Sequence, residues 1–569
     1  MLVTAGSITQ KEKQMGCKKM GNNTFSSTFR GTAIKEMEKE RFDVLVIGGG
    51  ITGSGIALDA ATRGLKVALI ERKDFASGTS SRSGKLIHGG LKYLQKLDFP
   101  VVRETGQERA IVYNNARHLV YPINMNFPIV KKESYNLATL KAGLSIYDRL
   151  AGVEKSERHK LYSKRQTLKQ EPLFNPKTVK GSGIYVEYRT DDSRLTMEAA
   201  KTAAEKGASI LNYAEMTDVL KDENNRIKGV VARDRIGEQT FTIKAAHVVN
   251  AAGPWVDKVR EKDRPITGKY MVLAKGIHIV FDYDKLPVAS PTYFQHKGRM
   301  IAVIPKGDKT FVGSTESLYD DNMDDIHVKR SEVDYLLDCL HAIFPSLDLK
   351  VDDITSSWAG IRPLIGKDGD NPSELSRHDE IFESDSGLIT IAGGKLTGYH
   401  KMAERVMQYI EKREKQKPTP SNTDRVKFSG GNFTSKKDMT ALIDQLHEQY
   451  SHLRLTKEII RAYVTQYGSN TETLLKIIKD FDDLYNDDEQ RNVAAEVRYA
   501  VDYEMAATLA DFYDRRSSYL LFDLEKVKRT MATAADEMQS VLEWDFETRQ
   551  KQLASMDYLI AKALTFQQE

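Results

Sequence analysis

A run of glycines between a predicted strand and a predicted helix constrains the fold of this chain most strongly. The segment DVLVIGGGITGSGIALDAATRGLKVALIER, residues 43–72, predicts a strand over 43–47, a helix over 51–63 and a second strand over 66–70. A strand, a helix and a strand over about thirty residues make a βαβ unit, in which the two strands are parallel. The sequence therefore predicts an α/β fold with a Rossmann-like domain.

Gly48, Gly50 and Gly53 have the G-x-G-x-x-G spacing of a dinucleotide-binding turn. Glycine weakens helices and strands, so its repeated use here indicates that bare backbone is needed where a pyrophosphate approaches a helix N-terminus. Glu71 ends the second strand, where a carboxylate can accept hydrogen bonds from ribose hydroxyls. A tight turn that binds nothing is the alternative, but the strands, the helix and the terminal acid together favour a dinucleotide.

Three further segments favour FAD over a nicotinamide dinucleotide. A long loop rich in Gly, Ser, Thr and basic residues, 75–95, follows the second strand. VVNAAGPWV and TIAGGKLTGYH each end a predicted strand in residues small enough for a flat ring to approach. A helix that begins near Leu396 would direct its N-terminus at the flavin and stabilise the negative charge of the reduced ring.

The chain is long enough for several domains. Its 569 residues suggest roughly three or four units of domain size. Residues 1–40 are polar and are expected to be a disordered tail. Residues 41–411 are predicted to be an FAD-binding domain of the glutathione-reductase or D-amino-acid-oxidase type, interleaved with an antiparallel substrate sheet over roughly 106–180 and 271–355. Residues 412–438 read as a linker, and 439–569 show the periodicity of a separate α-helical domain.

Composition excludes several classes of function. The 84 basic and 80 acidic residues nearly balance, which gives no case for nucleic-acid binding. Two cysteines, Cys17 and Cys339, make a disulfide framework or a cysteine-based metal site improbable. The twelve histidines are scattered without a ligand frame, so no metal is expected. A reducing cytoplasm suits this cysteine usage, and no apolar run is long enough to span a membrane.

Taken together, the motifs resemble the FAD-dependent, membrane-associated glycerol-3-phosphate dehydrogenases, the aerobic respiratory class of the glycine and D-amino-acid oxidase superfamily. The resemblance covers about residues 41–410 and rests on the glycine segment, TSSRSGKLIHGGLKYL, YVEYRTDDSRL, VVNAAGPWVD, KGIHIVF, SSWAGIRPLIG and GGKLTGYHKMAE. It implies that sn-glycerol 3-phosphate is oxidised at C2 to dihydroxyacetone phosphate, with hydride transfer to FAD and electrons passed to a membrane quinone. The FAD contacts that it implies are Gly48, Gly50, Gly53, Glu71, Thr79, Ser80, Ser81, Lys85, Leu86, Ala252, Gly253, Trp255, Gly360, Lys395, Leu396 and Thr397.

The same resemblance assigns the substrate-binding residues. Arg362 and Arg377 are expected to bind the phosphate, because arginine forms a bidentate fork to phosphate oxygens. Lys92 would assist them. Family members often have arginine at the position of Lys92, so the lysine keeps the charge and loses the fork. Tyr93 and Thr315 are expected to hydrogen-bond substrate oxygens.

Oxidation of an alcohol needs a base for the hydroxyl proton, and histidine is suited to that role near neutral pH. His278 and His88 both lie in family motifs and both stay candidates, with His278 placed slightly ahead. A buried core histidine is the alternative for His278, which alternates with apolar neighbours. Lys395 could polarise the substrate oxygen or balance the flavin charge. Asp191 and Asp192 are interpreted as helix-capping acids and not as catalytic groups.

A quinone acceptor implies contact with a bilayer. The protein is expected to be cytoplasmic and peripherally associated with the inner face of the cell membrane, and a homodimer is possible. The basic segment 155–169 and the apolar face of 137–152 are the candidate contacts, with a solvated helix pair as the alternative.

Three rival functions remain open on the sequence. A glycerol-3-phosphate oxidase would use O2 and release H2O2. An amine or amino-acid oxidase of the same superfamily would bind a carboxylate in place of a phosphate. A flavin-containing binding or scaffold protein would hold FAD without reducing it.

Overall fold

The computed structural model describes residues 25–90, 98–131, 133, 136–367 and 378–568. Their strands are β1 (Arg41–Ile47), β2 (Val67–Ile70), β3 (Leu86–Ile87), β4 (Tyr121–Val130), β5 (Lys160–Ser163), β6 (Val179–Arg189), β7 (Ser209–Leu211), β8 (Ala214–Lys221), β9 (Ile227–Asp234), β10 (Thr240–Asn250), β11 (Lys269–Asp282), β12 (Thr292–His296), β13 (Arg299–Lys306), β14 (Lys309–Gly313), β15 (Ser317–Leu318), β16 (Ile354–Lys367), β17 (Glu380–Glu383) and β18 (Leu388–Ala392). Their helices are α1 (Arg30–Lys39), α2 (Ile51–Thr62), α3 (Phe99–Asn115), α4 (Leu137–Leu150), α5 (Lys164–Gln170), α6 (Asp192–Glu205), α7 (Val256–Arg260), α8 (Arg330–Ile343), α9 (Tyr399–Arg413), α10 (Lys436–Gln449), α11 (Lys457–Tyr467), α12 (Thr471–Asp480), α13 (Asp488–Glu504), α14 (Tyr519–Phe522), α15 (Leu524–Leu542) and α16 (Phe546–Leu564).

The first sheet has the strand order β17-β18-β10-β1-β2-β7, with β9 paired to β10 and β8 paired to β9. β1 pairs in parallel with β2 and with β10, so that Ile47 lies between Ile70 and Asn250. The predicted βαβ unit is confirmed, and α2 connects its two strands. Because these strands run in the same direction, their carboxyl ends meet at one edge, which is where such sheets bind ligands.

The second sheet has the order β15-β11-β14-β13-β12-β4-β6-β3, with β16 paired to β11 and β5 paired to β6. Its pairings are antiparallel as predicted, except for a parallel contact between β4 and β12. Its strands come from residues 86–189 and 269–367, so the predicted limits of 106–180 and 271–355 are too narrow. The chain therefore leaves the first sheet twice and returns twice, which confirms the interleaved arrangement.

The helices α10 to α16 form the C-terminal helical domain. A π-helical turn, Asp511–Arg516, lies between α13 and α14 and is buried along its whole length. The segment 412–438, which the sequence predicts to be a linker, packs against the FAD-type domain. Its Phe428 is 1% exposed and belongs to the core of the first sheet. The helical domain is thus held close to the FAD-type domain.

The predicted disorder of residues 1–40 is wrong for the part that the structure describes. Residues 30–39 form α1, which buries Ile34 and Met37 against the first sheet. The guanidinium of Arg30 forms an ion pair of 2.5 Å with Asp234 and donates to the carbonyl of Asn212 at 2.7 Å. These partners lie about two hundred positions along the chain, so the local polarity of the segment could not indicate them.

Candidate active site

A cavity of about 860 Å³ lies where the carboxyl ends of the first sheet face the second sheet. Most of the predicted site residues line it, namely Gly48, Gly50, Glu71, Thr79, Ser80, Leu86, His88, Ala252, Gly253, Trp255, His278, Thr315, Gly360, Arg362, Lys395, Leu396 and Thr397. Gly53, Ser81 and Lys85 do not line it. Lys92, Tyr93 and Arg377 lie outside the described residues.

The glycine turn brings three pieces of backbone unusually close together. Gly48 has a φ of +113°, and a Cβ atom there would lie 2.6 Å from the carbonyl oxygen of Ala251. A Cβ on Gly53 would lie only 1.9 Å from the carbonyl oxygen of Gly48. The role predicted for Gly53 is therefore corrected: this glycine lets α2 pack against the turn and does not face the cavity.

The N-terminus of α2 opens onto the cavity. Gly50 is the N-cap residue and has no capping side chain of its own. The hydroxyl of Ser80 accepts the first helical N–H, from Ile51, at 3.0 Å. Bare backbone, free N–H groups and the positive end of the helix are the features that hold a diphosphate.

Glu71 also stabilises the glycine turn. Its two carboxylate oxygens accept the backbone N–H groups of Gly49 at 2.7 Å and of Lys73 at 2.8 Å. Burial raises the pKa of Glu71, although both backbone hydrogen bonds oppose the rise. The carboxylate also lines the cavity, so its contact with a ribose stays a prediction beside this observed structural role.

We expect Glu71→Ala to weaken FAD retention, with the FAD Kd raised about tenfold. The substitution leaves the N–H groups of Gly49 and Lys73 without their acceptor and loosens the turn. FAD titration of the apoprotein measures the Kd. Glu71→Gln keeps one acceptor oxygen, so its FAD Kd should lie between those of the unaltered protein and of Glu71→Ala. Unchanged flavin occupancy in Glu71→Ala would contradict both roles of this residue.

One face of the β11–β16 pair forms the opposite wall. His278 lies opposite Trp358 in the register, and Gly276 lies opposite Gly360. Arg362 follows at the next position on the same face, because side chains alternate along a strand. The two facing glycines leave space between the histidine and the arginine.

Arg362 fills part of that space with its guanidinium. Its Nη2 atom lies 2.6 Å from the point where a Cβ on Gly276 would stand. Nη2 donates to the hydroxyl of Ser314 at 2.5 Å, and Nη1 donates to the carbonyl of Thr315 at 3.3 Å. The hydroxyl of Thr315 itself accepts the N–H of Ile277 at 3.1 Å. The sequence context of Arg362 predicted a buried cation with a fixed orientation. In the structure these hydrogen bonds hold its guanidinium along the cavity wall.

His278 is held as a rigid, neutral ring. It stacks on Trp358 with 4.8 Å between ring centroids, and a Cβ on Gly313 would lie 2.1 Å from its Cδ2 atom. Burial, together with the positive charges of Arg362 and Lys85, lowers the pKa of His278 to about 3. The ring is 4% exposed and lines the cavity. His278 is therefore a buried histidine with one edge at the cavity, and its role as the base stays a prediction.

Lys85 is predicted to contact FAD, and the structure turns it away. Its ammonium forms a buried ion pair of 2.6 Å with Asp192. Burial disfavours the charged form of Lys85, but Asp192 and Asp191 raise its pKa. Asp191 caps α6 as predicted, whereas Asp192 holds the loop through Lys85 and through the N–H and hydroxyl groups of Ser83.

Other residues line the cavity without having been singled out in the sequence. The hydroxyl of Ser314 accepts a hydrogen bond from Arg362. Arg82, in the Ser/Gly-rich loop, is a cation that lines the cavity. Glu187, on β6, accepts the N–H of Gly89 at 2.8 Å next to His88. Arg82 lies in a loop of small polar residues and Glu187 lies in the motif YVEYRTDDSRL, and both were usable signals, whereas Ser314 had none.

Two known protein families match this chain over most of its length. Residues 43–400, more than half of the chain, match the family described as FAD dependent oxidoreductase. The chain belongs to the FAD-dependent oxidoreductase family. Residues 421–549 of this oxidoreductase match a second family, described as the C-terminal domain of alpha-glycerophosphate oxidase.

Relatives of this FAD-dependent oxidoreductase are similar over nearly the whole length. Proteins named aerobic glycerol-3-phosphate dehydrogenase from Staphylococcus aureus strains USA300 and NCTC 8325 are 44% identical over 526 residues, covering 91% of this chain and 94% of the relatives. The structure of the glycerol-3-phosphate dehydrogenase from Bacillus halodurans complexed with FAD has a TM-score of 0.82 at 38% identity, covering 96% of this chain and 100% of that one. L-alpha-glycerophosphate oxidase from Mycoplasma pneumoniae, at a TM-score of 0.54 and 20% identity over 68% of this chain and 98% of that one, shares the fold alone.

The cavity of this oxidoreductase fits FAD. The bare backbone of Gly48 and Gly50 lines the cavity beside the N-terminus of α2, and together they form a cradle whose donors suit a diphosphate. Ala252 and Gly253 lie beside it at the end of β10, and Lys395 and Leu396 lie where α9 approaches. FAD is the cofactor of this protein, and these groups are the ones that would hold it.

Proposed function

We propose that this protein oxidises sn-glycerol 3-phosphate at C2 to dihydroxyacetone phosphate, with FAD as hydride acceptor and a membrane quinone as electron acceptor. The observation that carries the proposal is the placement of Arg362 and His278 on one face of β11–β16, inside the FAD cavity. The names of the Staphylococcus and Bacillus relatives support the same substrate.

Each group of the chain then has a role that its chemistry allows. Arg362 binds the phosphate, and Ser314 and Thr315 hold its guanidinium in place. His278 accepts the hydroxyl proton, because its imidazole is neutral and fixed at the cavity wall. Lys395 lines the same cavity, and in this proposal it polarises the substrate oxygen. When bound, FAD supplies the acceptor for the hydride from C2.

Substrate binding also tunes the base. Arg362 is a principal cause, after burial, of the low pKa of His278. A phosphate dianion beside Arg362 offsets that positive charge, so the pKa of His278 rises in the complex. The proton is therefore accepted more readily when the substrate is in place.

Anaerobic addition of glycerol 3-phosphate to the yellow protein tests the proposal. We expect the flavin absorbance to bleach, and we expect no bleaching with glycine or D-alanine. Bleaching by an amino acid in place of glycerol 3-phosphate would assign the protein to the amine oxidases. Bleaching by none of these compounds would leave a flavin-binding scaffold as the function.

The electron acceptor is tested on the reduced protein. A water-soluble quinone analogue should restore the yellow colour much faster than air. Rapid recovery in air with release of H2O2 would instead identify a glycerol-3-phosphate oxidase.

Peripheral contact with the inner face of the cell membrane belongs to the same proposal. Among the described residues, no helix combines the length and apolarity needed to cross a bilayer. On the solvent-facing side of α4, Ile146 is 42% exposed and lies one turn after the exposed Ala142. Leu140 and Leu144, on the buried side of α4, pack against Gly183 of β6, and β5 pairs with β6 at the same glycine, so the basic segment 155–169 lies near α4.

We expect the Ile146→Glu variant to bind anionic vesicles about tenfold more weakly, because an apolar contact with the bilayer is lost. Vesicle co-sedimentation measures the binding, and the flavin spectrum serves as the check on folding. Ile236→Glu is the matched control, since Ile236 is 46% exposed on another surface. Equal effects of Ile236→Glu and Ile146→Glu would remove α4 from the contact.

A further inference from the structure

The C-terminal helical domain is joined by buried ion pairs to residues 71–85, here called the cofactor loop. The carboxylate of Asp74, in this loop, forms ion pairs with Nε of Arg515 and with Nη1 of Arg516, each at 2.6 Å. Asp74 and Arg516 are fully buried. Despite burial, the two arginines lower the pKa of Asp74 to about 2. The carboxylate is therefore charged at neutral pH and anchors one end of the loop.

A second attachment holds the other end of the cofactor loop. Nη2 of Arg82 lies 2.6 Å from a carboxylate oxygen of Asp514, which also receives Nη1 of Arg515 at 2.8 Å. Burial opposes ionisation of Asp514, but Arg82 and Arg515 hold its pKa below the ordinary value. Arg515 thus bridges the two attachments.

The same domain also contacts the substrate strand β16. The hydroxyl of Ser356 donates to the carbonyl of Leu520 at 3.2 Å, and that of Ser357 donates to the carbonyl of Ala563 at 2.8 Å. Both serines are buried. The helical domain therefore grips the cofactor loop and the strand that carries Arg362.

The cofactor loop and β16 contact each other at the cavity. The hydroxyl of Thr79 donates to the carbonyl of Ile361 at 2.6 Å. A Cβ on Gly360 would lie 2.7 Å from the Cβ of Arg82, so the stem of the arginine rests on bare backbone. Arg82 lines the cavity and touches the helical domain at once. A shift of this side chain would change the wall facing the flavin.

We propose that the C-terminal helical domain sets the shape of the FAD site, with Asp514 as a positioning residue that acts through Arg82. The ion pair fixes Arg82 over Gly360 and so fixes the cofactor loop against β16. The inference rests on FAD binding and not on the identity of the substrate. Its failure can therefore be told apart from a failure of the proposed dehydrogenase activity.

Asp514→Asn tests the proposal, with the FAD Kd of the apoprotein and the visible spectrum of the bound flavin as readouts. We expect the Kd to rise about tenfold, since a charge-assisted hydrogen bond to Arg82 is weakened. We also expect the flavin absorption bands to shift, because a cation at the cavity wall moves. Should Asp514→Asn not fold, Arg82→Met gives the same two readouts from the loop side.

Glu537→Gln is the matched control inside the helical domain. Arg498 and Glu537 pair at 2.7 Å with side chains 18% and 8% exposed, close to the 21% and 3% of Arg82 and Asp514. This pair joins α13 to α15 and does not touch the cofactor loop. We expect Glu537→Gln to lower the melting temperature and to leave the FAD Kd and the spectrum unchanged.

A double variant separates positioning from general destabilisation. If Asp514 acts through Arg82, adding Asp514→Asn to Arg82→Met should cause no further rise in the FAD Kd. Fully additive effects on Kd would overturn the proposal. So would equal FAD Kd values for Asp514→Asn and Glu537→Gln.

Discussion

Replacing His278 by asparagine is expected to slow anaerobic flavin reduction at saturating glycerol 3-phosphate by about 10²- to 10⁴-fold, the usual contribution of a positioned general base. Asparagine keeps a polar group of similar reach beside Trp358 but cannot accept the proton. FAD binding should be unchanged, because the cradle at Gly48 lies on the other sheet. Stopped-flow absorbance of the flavin measures the rate.

His88→Asn is the necessary comparison. His88 also lines the cavity, and its carbonyl accepts the hydroxyl of Thr397 at 3.3 Å. We expect a smaller loss of rate than for His278→Asn. A larger loss in His88→Asn would transfer the role of base to His88.

Replacing Arg362 by alanine is expected to raise the KM for glycerol 3-phosphate roughly 100-fold, since each charge-assisted hydrogen bond to a phosphate contributes about 1.5–3 kcal/mol. FAD should stay bound, because Arg362 lies on β16 and not at the diphosphate cradle. Steady-state kinetics with a quinone analogue measures KM, and the flavin spectrum reports occupancy.

Arg362→Lys should give an intermediate KM, because lysine restores the charge without the fork. A KM near that of the unaltered protein in Arg362→Ala would place the phosphate elsewhere in the cavity. Arg264, 35% exposed and paired with Asp385 on the surface, supplies a control arginine whose loss should leave KM unchanged.

The parts of the fold that the sequence predicts are those with a local pattern. The βαβ unit follows from apolar runs and glycine spacing within a short segment, and the helical domain follows from its own periodicity. Arg362 could be singled out because a cation in WAGIRP has small and apolar neighbours. These signals need no knowledge of distant partners.

The parts that the sequence does not predict depend on distant pairs. Asp192 takes Lys85 away from the cavity across 107 positions, and Asp234 orders α1 through Arg30 across 204 positions. Ion pairs of this kind have no periodicity along the chain. A cation placed correctly in a motif can therefore be assigned to a cofactor although a remote carboxylate already holds it.

The buried grip of the π-helical turn on the cofactor loop limits how this enzyme can be shortened. The described residues that line the large cavity all precede residue 398, so a chain cut after α9 would keep every one of them. It would nevertheless strip Asp74 of Arg515 and Arg516 and open the core side of the loop to water. A minimal flavoenzyme made from this scaffold must therefore carry the π-helical turn with it, or replace Asp74 with an apolar residue.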